Sequence, residues 1–171
     1  MSSTLDDENI GMLSMEGDRT QKTLLQQPSV ERSPKLAPDD RWIAYTFNDS
    51  GREEVYVKPF PDVDAGKWRI SEGGGAAPLW SRDGRELFYL NDDRVMVVSV
   101  TTDPSFDFGK PQILFQGMFI GPASGEGTPW DIHPSSKKFL MIKPGESAGL
   151  PHKIIVITNW FEKIKERESV P

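Results

Sequence analysis

The sequence contains no cysteine, and this absence removes several kinds of chemistry. Without a thiol the chain has no disulfide, no thiolate nucleophile and no thiolate metal site. It also has only two histidines, His133 and His152, and neither has a third ligand near it at a metal-binding spacing. Acidic pairs such as Asp62 and Asp64 lack the regular oxygen spacing of a calcium loop. We therefore expect no metal and no cofactor.

The chain also lacks a positive charge excess and long apolar runs. It carries 20 basic and 26 acidic residues, a formal net charge of -6, so we expect no nucleic acid partner. No apolar run approaches the length of a membrane span, so we expect no membrane insertion. The first residues, MSSTLDDENI, lack the basic and apolar regions of a secretory signal. The default expectation is a cytoplasmic location, or an extracytoplasmic one if the chain is cut from a larger membrane-anchored protein.

Glycine and proline are frequent, with 15 and 14 residues, and they separate short runs of β-branched and aromatic residues. These runs have the length of strands and are too short for typical helices. Links such as NDSGRE and NDD contain the residues that tolerate tight turns. The pattern predicts an all-β chain of antiparallel hairpins with about thirteen strands. The clearest runs are RWIAYTF, EVYVKPF, KWRIS, ELFYLN, RVMVVSV, QILFQG, KFLMIK and KIIVIT.

Three segments repeat one pattern, in which a short strand, a polar turn, a basic residue and an apolar strand follow each other. They read SPKLAPDDRWIAYTF, APLWSRDGRELFYLN and PWDIHPSSKKFLMIK. Asp39, Asp83 and Ser135 hold equivalent turn positions, separated by 44 and 52 residues. The longer spacing contains a glycine-rich insertion, GMFIGPASGEGT. A period of this length is typical of the four-stranded blades of a β-propeller, which bury their faces against one another.

The motif PDDRW at residues 38–42 and its copies resemble the repeats of TolB-like β-propellers, also called PD40 or WD40-like. The resemblance covers roughly residues 9 to 165. More narrowly, the chain is similar to the C-terminal end of propellers fused to bacterial serine/threonine protein kinases. It contains no glycine-rich loop with a following lysine, no His-Arg-Asp and no Asp-Phe-Gly. The resemblance therefore implies the propeller and not the kinase.

We divide the chain into three segments on this basis. Residues 1–8 are expected to form a poorly ordered tail, and residues 9–158 a partial β-propeller of about three four-stranded antiparallel blades. Residues 159–171 are expected to form a short C-terminal helix and tail, since Trp160 and Ile164 lie four positions apart.

About three blades do not close a ring, because closed propellers have four to eight. A second copy could complete a six-bladed ring, the sheets could pack openly with the helix over an edge, or the chain could be a fragment. We favour a homodimer that completes the ring, because closure hides unpaired strand edges.

One catalytic motif occurs in the sequence. GESAG, residues 145–149, matches the G-x-S-x-G nucleophile elbow, with Ser147 as the nucleophile. The elbow needs a helix after the serine, but LPHKIIVIT follows and predicts a strand, and no aspartate follows Ser147. We therefore expect that the protein is not an enzyme, with a hydrolase using Ser147 as the alternative.

The preferred function is a non-catalytic binding or sensing module that recognises a protein, a peptide or a small ligand. A further alternative is a truncated propeller without its original activity. Loops that lead into the inner strands surround a propeller axis, so we predict ligand contacts at Arg32, Trp130 and Asp131. Trp130, beside the glycine-rich insertion, is expected to be the most exposed tryptophan. The connector SEGGGAAP, residues 71–78, is expected to need only flexibility.

Overall fold

The computed structural model describes residues 9–27, 29–48, 51–121, 128–133, 138–144 and 153–157, the last of these by backbone alone. The predicted tail at residues 1–8 and the predicted helix at residues 159–171 lie outside the described residues. The described residues form fourteen strands, and every paired strand is antiparallel to its neighbour.

The strands form four sheets, which we number as blades in chain order. Blade 1 contains β1 (Ile10–Leu13) and β2 (Gln21–Leu25). Blade 2 contains β3 (Glu31–Leu36), β4 (Trp42–Asn48), β5 (Glu53–Pro59) and β6 (Trp68–Arg69). Blade 3 contains β7 (Ala76–Trp80), β8 (Glu86–Asn91), β9 (Arg94–Thr101), β10 (Asp107–Phe108) and β11 (Gln112–Gln116). Blade 4 contains β12 (Trp130–Ile132), β13 (Phe139–Lys143) and β14 (Lys153–Ile157).

The outermost strand of blade 3 is interrupted. Both β10 and β11 pair with β9, β10 at its C-terminal end and β11 at its N-terminal end. Between them the Gly109 amide still donates to the Ser99 carbonyl (2.9 Å), but Pro111 has no amide to continue the ladder. The short strand β10 was not among the strands predicted from the sequence, because two residues are too few to give a periodic pattern.

The repeat predicted from sequence is present in the backbone as one hydrogen bond that closes the first hairpin of blades 2, 3 and 4. In each blade the residue before the turn donates its amide to a carbonyl five positions later, at 2.8 to 2.9 Å. The bonds run from Ala37 to Trp42, from Ser81 to Glu86, and from His133 to Lys138. Their spacing is that of the aligned sequence motifs, so the three segments are structural copies.

The polar residues of these turns have the roles that their chemistry suggests. The Asp39 and Asp83 carboxylates each accept a hydrogen bond from the amide two residues later, at 3.1 and 3.2 Å. The next residues, Asp40 and Gly84, have φ angles of 55° and 69°, in the left-handed region. The Ser81 hydroxyl also donates to Asp83, and it is the main cause of the lowered pKa of that carboxyl.

Three apolar cores lie between successive blades. The first joins Ile10 and Leu25 of blade 1 to one face of blade 2. The second joins the other face of blade 2 to blade 3, and the third joins blade 3 to blade 4. Each sheet therefore packs face to face on its neighbours, as propeller blades do. The predicted all-β partial propeller is confirmed.

The described residues include no helix long and apolar enough to cross a membrane.

Candidate binding site

Strand ends from blades 2 and 3 meet at one edge of the fold, which we call the upper rim. The inner strands β3 and β7 begin there, at Glu31 and Ala76. Strand β4 ends and β5 begins at the same edge, since Asn48 pairs with Glu53. The Gly75 amide, just before β7, donates to the carbonyl of Glu53 at 2.9 Å, which ties the two blades together. The rim is thus formed by the starts of the inner strands and by the β4–β5 and β8–β9 turns.

The buried carboxylate of Glu54 fixes the connector between blades 2 and 3. It accepts hydrogen bonds from the Ser71 hydroxyl and from the Gly74 amide, which is 3.1 Å from both carboxylate oxygens. The Ser71 hydroxyl also accepts a bond from the Val55 amide at 2.8 Å. Arg52 donates to the same carboxylate at 3.2 Å. A buried carboxylate needs such donors, so the expectation that this connector needs only flexibility is wrong.

Gly75 is required by the close approach of this connector to blade 3. A Cβ atom there would lie 2.7 Å from the Ser71 Cβ and 2.9 Å from Cδ2 of Tyr89. Tyr89 is fully buried, and burial, followed by the negative charges of Glu54 and Glu72, raises its pKa to about 12. The tyrosine under the connector is therefore neutral at physiological pH.

Polar side chains surround the connector at the surface. Gly74 lies against Asn91 and Arg52, since a Cβ on it would be 3.4 Å from the Asn91 Oδ1 and 3.7 Å from the Arg52 Cδ. Arg32 of β3 forms an ion pair with Glu53 of β5 at 3.4 Å. Groups of both charge signs therefore lie at the junction of blades 2 and 3. We call this set the rim cluster, and it consists of Arg32, Arg52, Glu53, Glu72 and Asn91.

The three residues predicted to contact a ligand have different environments. Arg32 is half-buried and belongs to the rim cluster. Asp131 is exposed on β12, and its carboxylate accepts the amide of Ile132 at 2.8 Å. Trp130 is buried and stacks on Phe139 with ring centroids 5.7 Å apart, so its predicted exposure is wrong. The structure brings Arg32 into a polar cluster and places Trp130 in a core.

Trp130 is buried because its indole joins two blades. Its Nε1 donates to the carbonyl of Ala77 in the preceding inner strand at 2.9 Å. Trp80 does the same one blade earlier, with its Nε1 donating to the carbonyl of Lys35 at 3.0 Å. Ala77 lies in a bulge with a φ of 52°, and Ser33 occupies the equivalent bulge of β3 with the same φ. Each indole therefore hydrogen-bonds one inner strand to the preceding inner strand.

The other sequence candidates do not join this site. His133, the histidine that the structure describes, is exposed at the end of β12. Ser147 and His152, with the rest of the GESAG motif, lie outside the described residues. Within the described ranges no group of three or more His, Asp or Glu residues could hold a metal ion.

The fold and its repeat define the class: the chain is a partial β-propeller built from TolB-like repeats. No family model matches the sequence. The chain is 36% identical over 66 residues to the Tol-Pal system protein TolB of Alcanivorax borkumensis. That match covers 38% of this chain and 15% of the relative, so the chain corresponds to a small portion of it.

Two solved structures share the fold at 16% sequence identity. One is a nidogen/laminin complex, with a TM-score of 0.60 over 90% of this chain and 55% of that chain. The other is a puromycin-hydrolyzing peptidase of Mycobacterium tuberculosis, with a TM-score of 0.58 over 81% of this chain and 22% of that chain. At this identity the similarity shows the fold alone.

Proposed function

We propose that the chain is a non-catalytic binding module of TolB-like propeller type, and that the rim cluster recognises a charged peptide segment of a protein partner. Two observations carry the proposal. The Glu54 carboxylate binds Ser71, Gly74 and Arg52, a set of hydrogen bonds that we call the clasp, and it fixes the connector between blades 2 and 3. The Arg32–Glu53 ion pair lies at the same junction, so side chains of both charge signs are present there. The similarity to TolB supports a binding role, and the choice of a peptide rests on the cluster.

The chemistry of the cluster suits a ligand that carries both charge signs. Arg32 and Glu53 neutralise each other at a distance of 3.4 Å, and both are partly exposed. A peptide with a carboxylate and a basic group can exchange this internal ion pair for two pairs across an interface. Because the Glu54 clasp already fixes the connector, little ordering is required on binding, which favours affinity.

A hydrolase remains the alternative function. Its basis is the GESAG motif with Ser147 and the shared fold of the mycobacterial peptidase. The rim cluster contains no histidine and no serine, so it lacks the nucleophile and the imidazole base of a serine hydrolase. The binding function is therefore preferred.

A selection of displayed peptides against the whole immobilised chain, followed by calorimetry, tests the proposal. We expect Arg32→Ala and Glu53→Ala each to weaken the selected peptides by roughly tenfold or more, as for charged contacts. Arg85→Ala is the matched control, because Arg85 is an exposed arginine at the turn on the opposite edge of the sheets. Equal binding by all three variants, or no selected peptide at all, contradicts the proposal.

The hydrolase alternative has its own measurement. Short p-nitrophenyl esters are incubated with the wild type and with Ser147→Ala. We expect the same background rate for both, whereas ester hydrolysis that the substitution abolishes would support the alternative.

A further inference from the structure

Strand β13 of blade 4 carries an apolar sequence on both of its faces, but one face is exposed. In the repeat Leu140 corresponds to Ala44 of β4 and Phe88 of β8, at the spacings of 44 and 52 residues. Ala44 and Phe88 are 0% and 2% exposed, whereas Leu140 is 44% exposed. A strand that is apolar on both faces is typical of a sheet covered on both sides.

The positions of Ala44 and Phe88, the residues that correspond to Leu140, show which side of blade 4 Leu140 faces. Ala44 of blade 2 lies in the core shared with blade 3, and Phe88 of blade 3 lies in the core shared with blade 4. Each therefore packs on the blade that follows. Phe139 and Met141, on the other face of β13, pack on blade 3. Leu140 thus points to the place of a blade that follows blade 4.

At the other end of the stack of blades, blade 2 also has an exposed apolar residue, on the face that points toward a preceding blade. Leu36 of β3 corresponds to Trp80 of β7, which packs toward the preceding blade and bonds to its Lys35 carbonyl. Trp80 is 7% exposed, whereas Leu36 is 46% exposed. Within the described residues blade 1 contributes only the hairpin β1–β2 to this side. The inner part of blade 2 is therefore open on the side where a preceding blade would lie.

We propose that two copies of this chain close a ring, with the Leu140 face of one copy packed on the Leu36 face of its partner. The occupant is a second copy because the open faces are complementary in direction: one requires a following blade and the other a preceding blade. Within the described residues blade 1 is a two-stranded hairpin and blade 4 has three strands, so blade 1 of one copy and blade 4 of its partner together occupy one blade position. Each copy then contributes the inner strands β3, β7 and β12, and two copies give six blades, within the usual range of four to eight. A two-fold axis makes both contacts identical.

The mass in solution tests this arrangement at micromolar concentration. We expect light scattering to give the mass of two chains for the wild type and of one chain for Leu140→Glu. Ile113→Glu is the matched control, because Ile113 is 54% exposed on the outer strand β11, away from both faces. We expect it to remain dimeric. A folded monomeric wild type, or a dimeric Leu140→Glu variant, overturns the proposal.

Disulfide trapping tests the contact itself without relying on a charged substitution. Since the chain has no cysteine, single cysteine variants give unambiguous cross-links. We expect a mixture of Leu36→Cys and Leu140→Cys chains to form a mixed disulfide dimer on mild oxidation, and a mixture of Leu36→Cys and Ile113→Cys chains not to. Equal cross-linking in both mixtures contradicts the proposed contact. If residues 158–171 or another protein covered Leu140 instead, the wild type would be monomeric, which also overturns it.

Discussion

The Ser71 hydroxyl bonds two buried groups, since it donates to the Glu54 carboxylate and accepts from the Val55 amide. We expect Ser71→Ala to lower the free energy of unfolding by about 1–3 kcal/mol, because it leaves a buried acceptor and a buried donor without this partner. Chemical denaturation followed by tryptophan fluorescence measures the change. Ser99→Ala, at an exposed position on β9, is the control and should change stability by less than about 0.5 kcal/mol. Equal losses would mean that the clasp does not stabilise the fold.

We expect the stability of the fold to depend on pH through the buried carboxyl of Glu31. Burial raises the pKa of its carboxyl above the ordinary value of a glutamate, although the charges of Lys58 and Lys67 lower it in part. A raised pKa means that the folded protein binds this proton more tightly than the unfolded chain, so the stabilising contribution of protonation is lost as the pH rises through the raised pKa. We expect the stability that Glu31→Gln gains relative to the wild type to grow as the pH rises from the acidic range toward neutrality.

Thermal unfolding of both proteins across this pH range measures the difference in melting temperature. Other titrating groups cancel in the difference, so the trend belongs to Glu31. A difference that stays constant or falls as the pH rises would contradict the prediction. Glu86→Gln, at a half-buried position on β8, is the control.

Individual residues were predictable from the sequence where their role is local. The turn roles of Asp39 and Gly84 follow from side-chain reach and backbone freedom within four residues. The burial of Trp130 was not predictable, because it depends on the carbonyl of Ala77 in another blade. The clasp of Glu54 was missed for the same reason, since its partner Ser71 lies seventeen positions later. The available signal for a buried carboxylate was an acidic residue directly before a run of apolar strand residues.

At the scale of elements, the connector between blades 2 and 3 combines two glycines with different requirements. Gly73 has a φ of 77° and an open surrounding, whereas Gly75 has close neighbours in Ser71 and Tyr89. We expect Gly73→Ala to cost about 1 kcal/mol through backbone strain, and Gly75→Ala to cost about 1–3 kcal/mol through steric overlap. Denaturant titration of the two variants shows which substitution lowers the free energy of unfolding more. A larger loss for Gly73→Ala would show that the connector tolerates a side chain against Tyr89.

Strands with strong apolar runs were predictable as elements because their length and composition leave few alternatives. The interrupted outer strand was not, since β10 has two residues and its pairing depends on β9. The same distinction applies to the inner strands. Their bulges at Ser33 and Ala77 precede prolines, Pro34 and Pro78, but the sequence alone does not show that the chain enters the left-handed region there.

For the whole molecule, the period of the turn motif was sufficient to predict the stacked blades, because each copy needs a neighbour on both faces. The same logic shows where the array is incomplete, at Leu36 and Leu140. Closure by a second copy would bring the rim cluster of each chain onto one ring, since both chains share the two-fold axis. A peptide that bridges two clusters would then bind more tightly than one that contacts a single cluster.

The three cores in series predict how the molecule loses structure. Phe139 lies in the core between blades 3 and 4, where it packs edge to face on Phe88 at 5.2 Å, and Leu87 lies in the core between blades 2 and 3. Each substitution to alanine removes about 2–5 kcal/mol of local packing. Because a blade contacts only its neighbours, we expect Phe139→Ala to speed hydrogen exchange mainly in residues 130–143. Leu87→Ala should speed exchange in residues 42–59 and 86–101 together. Hydrogen exchange with mass spectrometry separates these patterns, and uniform acceleration by Phe139→Ala would mean that all blades open as one unit.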